Sequence, residues 1–262
     1  MLAPTPTSPH ARDEFTLLCE RCGYVIEGLP TDSVCPECGR PIEDSLPSVR
    51  VGTPMQNAPG LGPVLVAAWF TLRHPMRTLD TMAVVQPRVR SVLVLAAVPI
   101  GQLLGVGVLI SMQVVRPMHH ASAIGSVLLG VLLGMLLTPA AAGLLAVLTW
   151  IEARGLVIFG SQSGARMHPE LANTIVRHGA AGWLLTGLGA ALALPLAWSL
   201  ESEVGALIGH PKFGGPQRWP VILAGLGMAL AALGFLAFES FAWLGLRRCK
   251  FANKPRPKPS HE

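Results

Sequence analysis

The chain has 262 residues, of which 13% are charged and 51% hydrophobic, with a formal net charge of +5. A soluble globular domain carries about 25% charged residues, so this composition, gathered into long uncharged runs, excludes an ordinary soluble domain and points to a membrane protein. The excess of positive charge is not a nucleic-acid signal, because Lys and Arg lie beside the apolar runs, where cations set topology and meet anionic lipid.

Residues 1–18 read as a mobile tail containing Pro, Thr and Ser. It has no apolar segment of the kind a cleavable signal peptide carries, so the first apolar span is expected to act as the insertion signal.

Residues 19–44 hold the strongest local signal. Cys19-Glu-Arg-Cys22 is followed after twelve residues by Cys35-Pro-Glu-Cys38. Two such knuckles can place four thiolates tetrahedrally around one zinc ion. Gly23 and Gly39 each follow the second cysteine of a knuckle, where a positive φ lets backbone N–H groups turn toward the sulfurs. Tyr24-Val-Ile and Ser33-Val flank a Gly-Leu-Pro turn, as a small β hairpin would. The expectation is a small N-terminal β zinc ribbon with Cys19, Cys22, Cys35 and Cys38 as ligands of one structural Zn2+. With all four positions filled, none is open for a catalytic water, and a redox role for either Cys-x-x-Cys is disfavoured. Between Arg12 and Asp44 there are three basic and eight acidic residues, −5 in all, the wrong sign for phosphate. A protein partner, or the chain's own basic loops, is the better match.

Residues 45–60 contain three Pro and two Gly without periodicity and read as a linker. In 61–90 the apolar residues fall at helical spacing, but the uncharged part from Leu61 to Leu72 is only 12 residues, against the ~20 a span needs. Pro75 should stop the helix at His74. The pattern fits one or two amphipathic helices, either lying in the membrane interface with Trp69 at headgroup level or packed on the bundle. It leaves open whether 61–74 inserts.

Four uncharged runs follow, at 91–115, 121–151, 179–200 and 219–246, the last interrupted by Glu239. Each is long enough to cross a ~30 Å core, so the expected fold is an all-α polytopic bundle of four transmembrane helices. The second run must either tilt and project or break at Pro139. Residues 247–262 form a basic tail. With the N-terminus in the cytoplasm, 17 of the 20 basic residues fall on the cytoplasmic side; Arg116, Lys212 and Arg218 are left for the outer loops. The positive-inside rule therefore puts both termini in the cytoplasm and the bundle in the inner membrane. Gly101–Gly105 and Gly130–Gly134 form GxxxG pairs, read as packing within the bundle, with oligomerisation as the other use of such faces.

Other candidates are weaker. Glu239 is placed to pair with Arg154 or a juxtamembrane Arg, or to serve as a relay. His119 and His120, beside Met118, read as a solvated outer loop, although such a set can hold copper or zinc weakly. His168 and His178 bracket a short helix as caps. Cys249 is a free thiol or an acylation site. Gly160-Ser-Gln-Ser-Gly164 has Gln162 where a nucleophile elbow needs Ser, and reads as a flexible loop. No hydrolase, metalloprotease or P-loop motif occurs.

The string CERCGYVIEGLP…CPECGRP resembles the N-terminal ribbon of many uncharacterised bacterial zinc-ribbon multipass membrane proteins, planctomycete ones especially. The section AWFTLRHPMRTLD and the spans after it are similar in layout to Yip-type (Ypt-interacting) membrane proteins, which put a cytoplasmic N-terminal region before a compact bundle. That family has five spans, where hydropathy gives four unless 61–74 inserts. The resemblance implies no functional residue beyond the four cysteines. Taken together, the sequence leads to a non-enzymatic docking or assembly protein. A small transporter or channel using Glu239 is the second reading, and an intramembrane enzyme the third.

Overall fold

The computed structural model describes residues 15–84, 90–115, 123–207 and 218–255. After the cysteine module come two 3-10 turns, Glu43–Ser45 and Pro47–Val49, and then, among the described residues, eight helices. These are α1 (Pro54–Asn57), α2 (Leu61–Arg73), α3 (Pro75–Thr81), α4 (Arg90–Val115), α5 (Ala123–Gln162), α6 (Pro169–Gly179), α7 (Ala181–Leu207) and α8 (Arg218–Arg248). Among the described residues, four stretches are long and apolar enough to cross a membrane: Val92–Met112, Gly125–Gln162, Pro169–Ser199 and Trp219–Arg248. Leu132, Leu136, Trp150, Leu226 and Met228 are all exposed on this bundle. An apolar exterior of that extent is what lipid covers on an integral membrane protein.

α4 packs chiefly against α5 and α7, and α7 against α8, while α5 and α8 touch little. The order α5–α4–α7–α8 is held by close backbone approach. A Cβ on Gly105 would strike the backbone of Gly134, and one on Gly101 would come within 2.7 Å of the Cα of Thr138. The two GxxxG faces thus meet each other within the chain. The α7–α8 seam works the same way through Gly182 against Gly234 and Gly189 against Gly227, pairs that the GxxxG pattern does not mark. Trp183 ties the layers together, stacking on Phe238 at 4.5 Å and donating its indole N–H to Thr149 Oγ1 at 3.1 Å.

α5 is one continuous helix of 40 residues with Pro139 inside it, about 60 Å long at 1.5 Å per residue. Pro139 does not break it, and the helix runs on through Glu152 and Arg154 to Gln162. Most of the expected flexible loop at 160–164 is therefore the end of this helix and its turn, with Gly164 at φ +70°. Pro75 does divide the preceding segment: α2 ends at Arg73, and Pro75 opens α3. α2 buries Val64, Ala67, Ala68 and Thr71 against the bundle and leaves Leu65, Val66 and Trp69 exposed, so one face packs while the other stays apolar and open. At 13 residues it is about 20 Å long, short of a ~30 Å core.

The segment 45–60 is not a passive linker. Arg50 and Thr53 are buried in it, and Gln56 holds α1 to the end of α3, donating to Ala83 O at 2.8 Å and accepting from Ala83 N at 3.1 Å.

Candidate metal centre

The cysteine module is built twice on one plan. In the first half the Cys19 N–H donates to Tyr24 O at 2.8 Å, the Gly23 N–H to Cys19 O at 2.9 Å, and the Ile26 N–H to Leu17 O at 3.0 Å. In the second half Cys35 N–H to Arg40 O, Gly39 N–H to Cys35 O and Ile42 N–H to Ser33 O repeat this at 2.8, 2.9 and 3.0 Å. Each half turns on a glycine in the left-handed region, Gly23 at φ +79° and Gly39 at +71°. Of the expected β ribbon, the described residues form no strand, only two isolated antiparallel bridges, Leu18 with Val25 and Val34 with Pro41. The tight turns leave too few residues for a ladder, and the cysteines carry the organisation. Ile26 and Ile42, both buried, fill the small space between the halves beside Cys19 and Cys35.

The four sulfurs converge. All lie within 4.8 Å of one another, with Cys19 Sγ to Cys38 Sγ at 3.5 Å and Cys22 Sγ to Cys35 Sγ at 3.6 Å. Tetrahedral ligation at about 2.3 Å per sulfur requires S···S separations near ~3.8 Å, so the donor set fits a four-thiolate metal ion. The module has no disulfide. Burial works against a thiolate at Cys19, but the N–H groups of Cys22 and Arg21 point at its sulfur and bring it down to about 7. At Cys22 burial dominates and pushes the thiol up, helped by hydrogen bonding to Cys35 and Cys38. At Cys38 the Arg40 N–H favours the thiolate, yet burial and the Cys19 sulfur outweigh it and raise the thiol. Four sulfurs this close cannot all ionise alone; a divalent cation removes the conflict by taking every one as thiolate.

The module is bolted to the helix bundle by buried polar groups. Arg50, with its side chain 6% exposed, donates to both oxygens of Glu20 at 3.0 and 2.8 Å. Its remaining nitrogen donates to Leu79 O at 2.8 Å and Met82 O at 3.3 Å, at the end of α3. Asn253, beyond α8, is 1% exposed and uses its whole side chain. Its Nδ2 donates to Leu18 O at 2.7 Å and Ser45 O at 2.6 Å. Its Oδ1 accepts from Leu18 N at 3.0 Å and from Arg166 at 2.6 Å. Arg166, between α5 and α6, also donates to Thr16 O. Phe251 lies over Gly23, where a Cβ would come within 2.8 Å of the ring. The acidic module does rest on the chain's own basic end, and both ends of the described chain meet there. Nothing in the local sequence marks Arg50, Arg166 or Asn253. Each is a polar residue in a segment without periodicity, and only its distant partner makes it structural.

Glu239 is half-buried on α8, and its electrostatic neighbour is Glu152 of α5. Among the described residues it has no ion pair, and Arg154 lies instead over the Trp150 ring at 5.3 Å. Hydropathy does not mark Glu152, because the uncharged run stops one residue before it. His168 does cap α6, its Nδ1 accepting from Leu171 N at 3.2 Å. His178 is no terminal cap but a buried tie: Nε2 bonds Thr53 Oγ1 at 2.9 Å and Nδ1 bonds Thr174 O at 2.8 Å. Cys249 is 1% exposed, which closes it to acylation in this fold. His119 and His120 lie outside the described residues. Compared with protein-family models, curated proteins and solved structures, the chain matches none.

Proposed function

We propose that the protein is a non-enzymatic docking or assembly protein of the cytoplasmic membrane, with both termini in the cytoplasm and one structural Zn2+ in the cysteine module. The observation that carries this reading is the module's two-sided character. One side is clamped to the bundle through Arg50, Arg166 and Asn253, while Tyr24, Val25 and Val34 stay exposed among the exposed acids Glu27, Asp32, Glu37, Glu43 and Asp44. A rigid, acidic surface with apolar side chains suits a protein partner that offers basic residues around an apolar centre. Zinc is the cation of choice for four thiolates, being soft enough for sulfur and free of redox chemistry. The basic residues at the module's end of the bundle put that end in the cytoplasm by the positive-inside rule, and the exposed face of α2 with Trp69 suits the interface there. Kinship with the bacterial zinc-ribbon membrane proteins belongs to the same proposal; a Yip-type layout would need a fifth span that α2 is too short to supply.

Affinity capture tests the docking role. A partner held by the wild type should be lost with Y24S/V34S, which leaves the cysteines and the clamp intact. Equal recovery from both proteins refutes it. The second reading, a small transporter or channel, draws on the neighbouring carboxylates of Glu152 and Glu239, because paired acids inside apolar helices are costly unless they bind a proton or cation. An E239Q protein with unchanged stability and no change in ion flux in vesicles removes that reading.

A further inference from the structure

Where the cysteine module meets the end of α8 there is a cleft of about 540 Å³ lined by Glu20, Arg21, Arg40, Arg247 and Arg248. Four guanidinium groups around one space repel each other, and the charges that balance them are unevenly shared. Arg248 is held by Asp80, at 2.8 and 3.1 Å. Arg40 is held by Asp44 at 3.4 Å. The only carboxylate in the lining, Glu20, is already engaged by Arg50 in a bidentate pair. Among the described residues no carboxylate balances Arg21 or Arg247. The guanidinium of Arg247 is parked over the ring of Trp243 at 4.6 Å, a cation–π contact that positions the group while leaving its charge uncompensated.

The height of the cleft is informative. Arg247 and Arg248 close the last turn of the apolar stretch Trp219–Arg248, and Trp243 is 53% exposed. An exposed Trp one turn before paired arginines is the arrangement found at a membrane–water boundary. The opposite wall comes from the two knuckles, Arg21 from inside the first and Arg40 from just after the second, so the cleft takes its shape only when the module is docked. Planar guanidinium forks match the oxygen geometry of phosphate and bind it more specifically than ammonium groups do.

We propose that this cleft, walled by Arg21, Arg40, Arg247 and Arg248, binds a phosphate-bearing anion, either the headgroup of an anionic lipid or a soluble phosphate. The anion supplies the missing negative charge and bridges the cysteine module to the end of α8. The net charge of the module as a whole gives no hint of this, because among the described residues Glu20 is the one acid in the cleft lining.

The test uses the full chain with its metal. In one arm, native mass spectrometry reads phosphatidylglycerol against phosphatidylcholine retained by the detergent-solubilised protein. In the other, calorimetry measures inorganic phosphate binding to protein in phosphatidylcholine nanodiscs. Preferential phosphatidylglycerol retention without phosphate binding identifies a lipid headgroup, and phosphate binding identifies a soluble anion; either supports the site. In R21Q/R247Q the affinity should fall roughly tenfold or more, the effect of losing one or more charge-assisted contacts. R73Q/R77Q, which removes exposed arginines elsewhere, should leave it unchanged. Binding of neither probe, unchanged binding in R21Q/R247Q, or an equal loss in R73Q/R77Q overturns the proposal. Should R21Q/R247Q fail to retain its metal, R21Q and R247Q are read singly: weakened binding supports the site and unchanged binding overturns it.

Discussion

Arg50→Met should undock the cysteine module, and the structure sets the size of the effect. The side chains of Arg50 and Glu20 are 6% and 10% exposed, so solvent does little to screen the pair. Methionine keeps the length and apolar stem of Arg50 but removes both bonds to Glu20 and the bonds to Leu79 O and Met82 O. Glu20 would keep the N–H of Asn253, at 3.3 Å, as a far weaker counterpart to its charge. Breaking a buried pair from one side costs about 3–5 kcal/mol, because the remaining charge is stranded. At 1.4 kcal/mol per decade, that is roughly two to three and a half orders of magnitude in the undocked population. The Leu18 N–H, bonded to Asn253 Oδ1, reports undocking directly through hydrogen exchange, and its rate should rise by that factor until the module is fully released. E20M/R50M should recover much of the loss, since no charge is then stranded. Wild-type exchange in R50M, or additive losses in the double variant, would refute the clamp.

Purified without chelator, the protein should carry one metal ion per chain, and Cys35→Ser should abolish this in elemental analysis. Protons compete with the metal at all four sulfurs, so affinity should drop as pH falls through the region around 7 where Cys19 loses its thiolate; a pH-independent affinity between 8 and 5 would contradict thiolate ligation. Gly105→Leu and Gly182→Leu should each destabilise the bundle, since the side chain meets the facing backbone; overpacking costs about 1–3 kcal/mol, and an unchanged melting temperature in detergent would show that the helices do not approach there. Cys249 should resist thiol reagents in the folded protein and react on unfolding. Burial pushes its thiol up to about 11 from an ordinary value of 9, so its contribution to stability is full below pH 9 and lost as pH rises toward 11. Cys249→Ala should flatten that alkaline limb.

Much of the architecture is local and therefore legible. The apolar runs mark the spans, because burying backbone polar groups in hydrocarbon demands long uncharged helices whatever surrounds them. The two Cys-x-x-Cys knuckles mark the candidate metal centre, because short-range geometry alone sets each pair of sulfurs. Pro75 marks the break between α2 and α3 by sterics within one turn. Pro139 leaves two outcomes open by local sterics, a break or one long projecting helix, and α5 takes the second, running unbroken with Pro139 on an exposed face.

The docking of the module belongs to tertiary structure. Asn253 and Leu18 are 235 residues apart, and no window of sequence brings an asparagine in a basic tail to a carbonyl before the first knuckle. The same holds for Arg50 in what reads as a linker, for Glu152 facing Glu239 and for the glycine pairs of the α7–α8 seam. Hydropathy and spacing are properties of one segment, and they determined by themselves the four long apolar helices among the described residues and the four-cysteine cluster. Which buried charge finds which partner is a property of two segments meeting. Only the fold decided that the acidic module would sit on the basic end of the bundle and enclose an arginine-lined cleft between them.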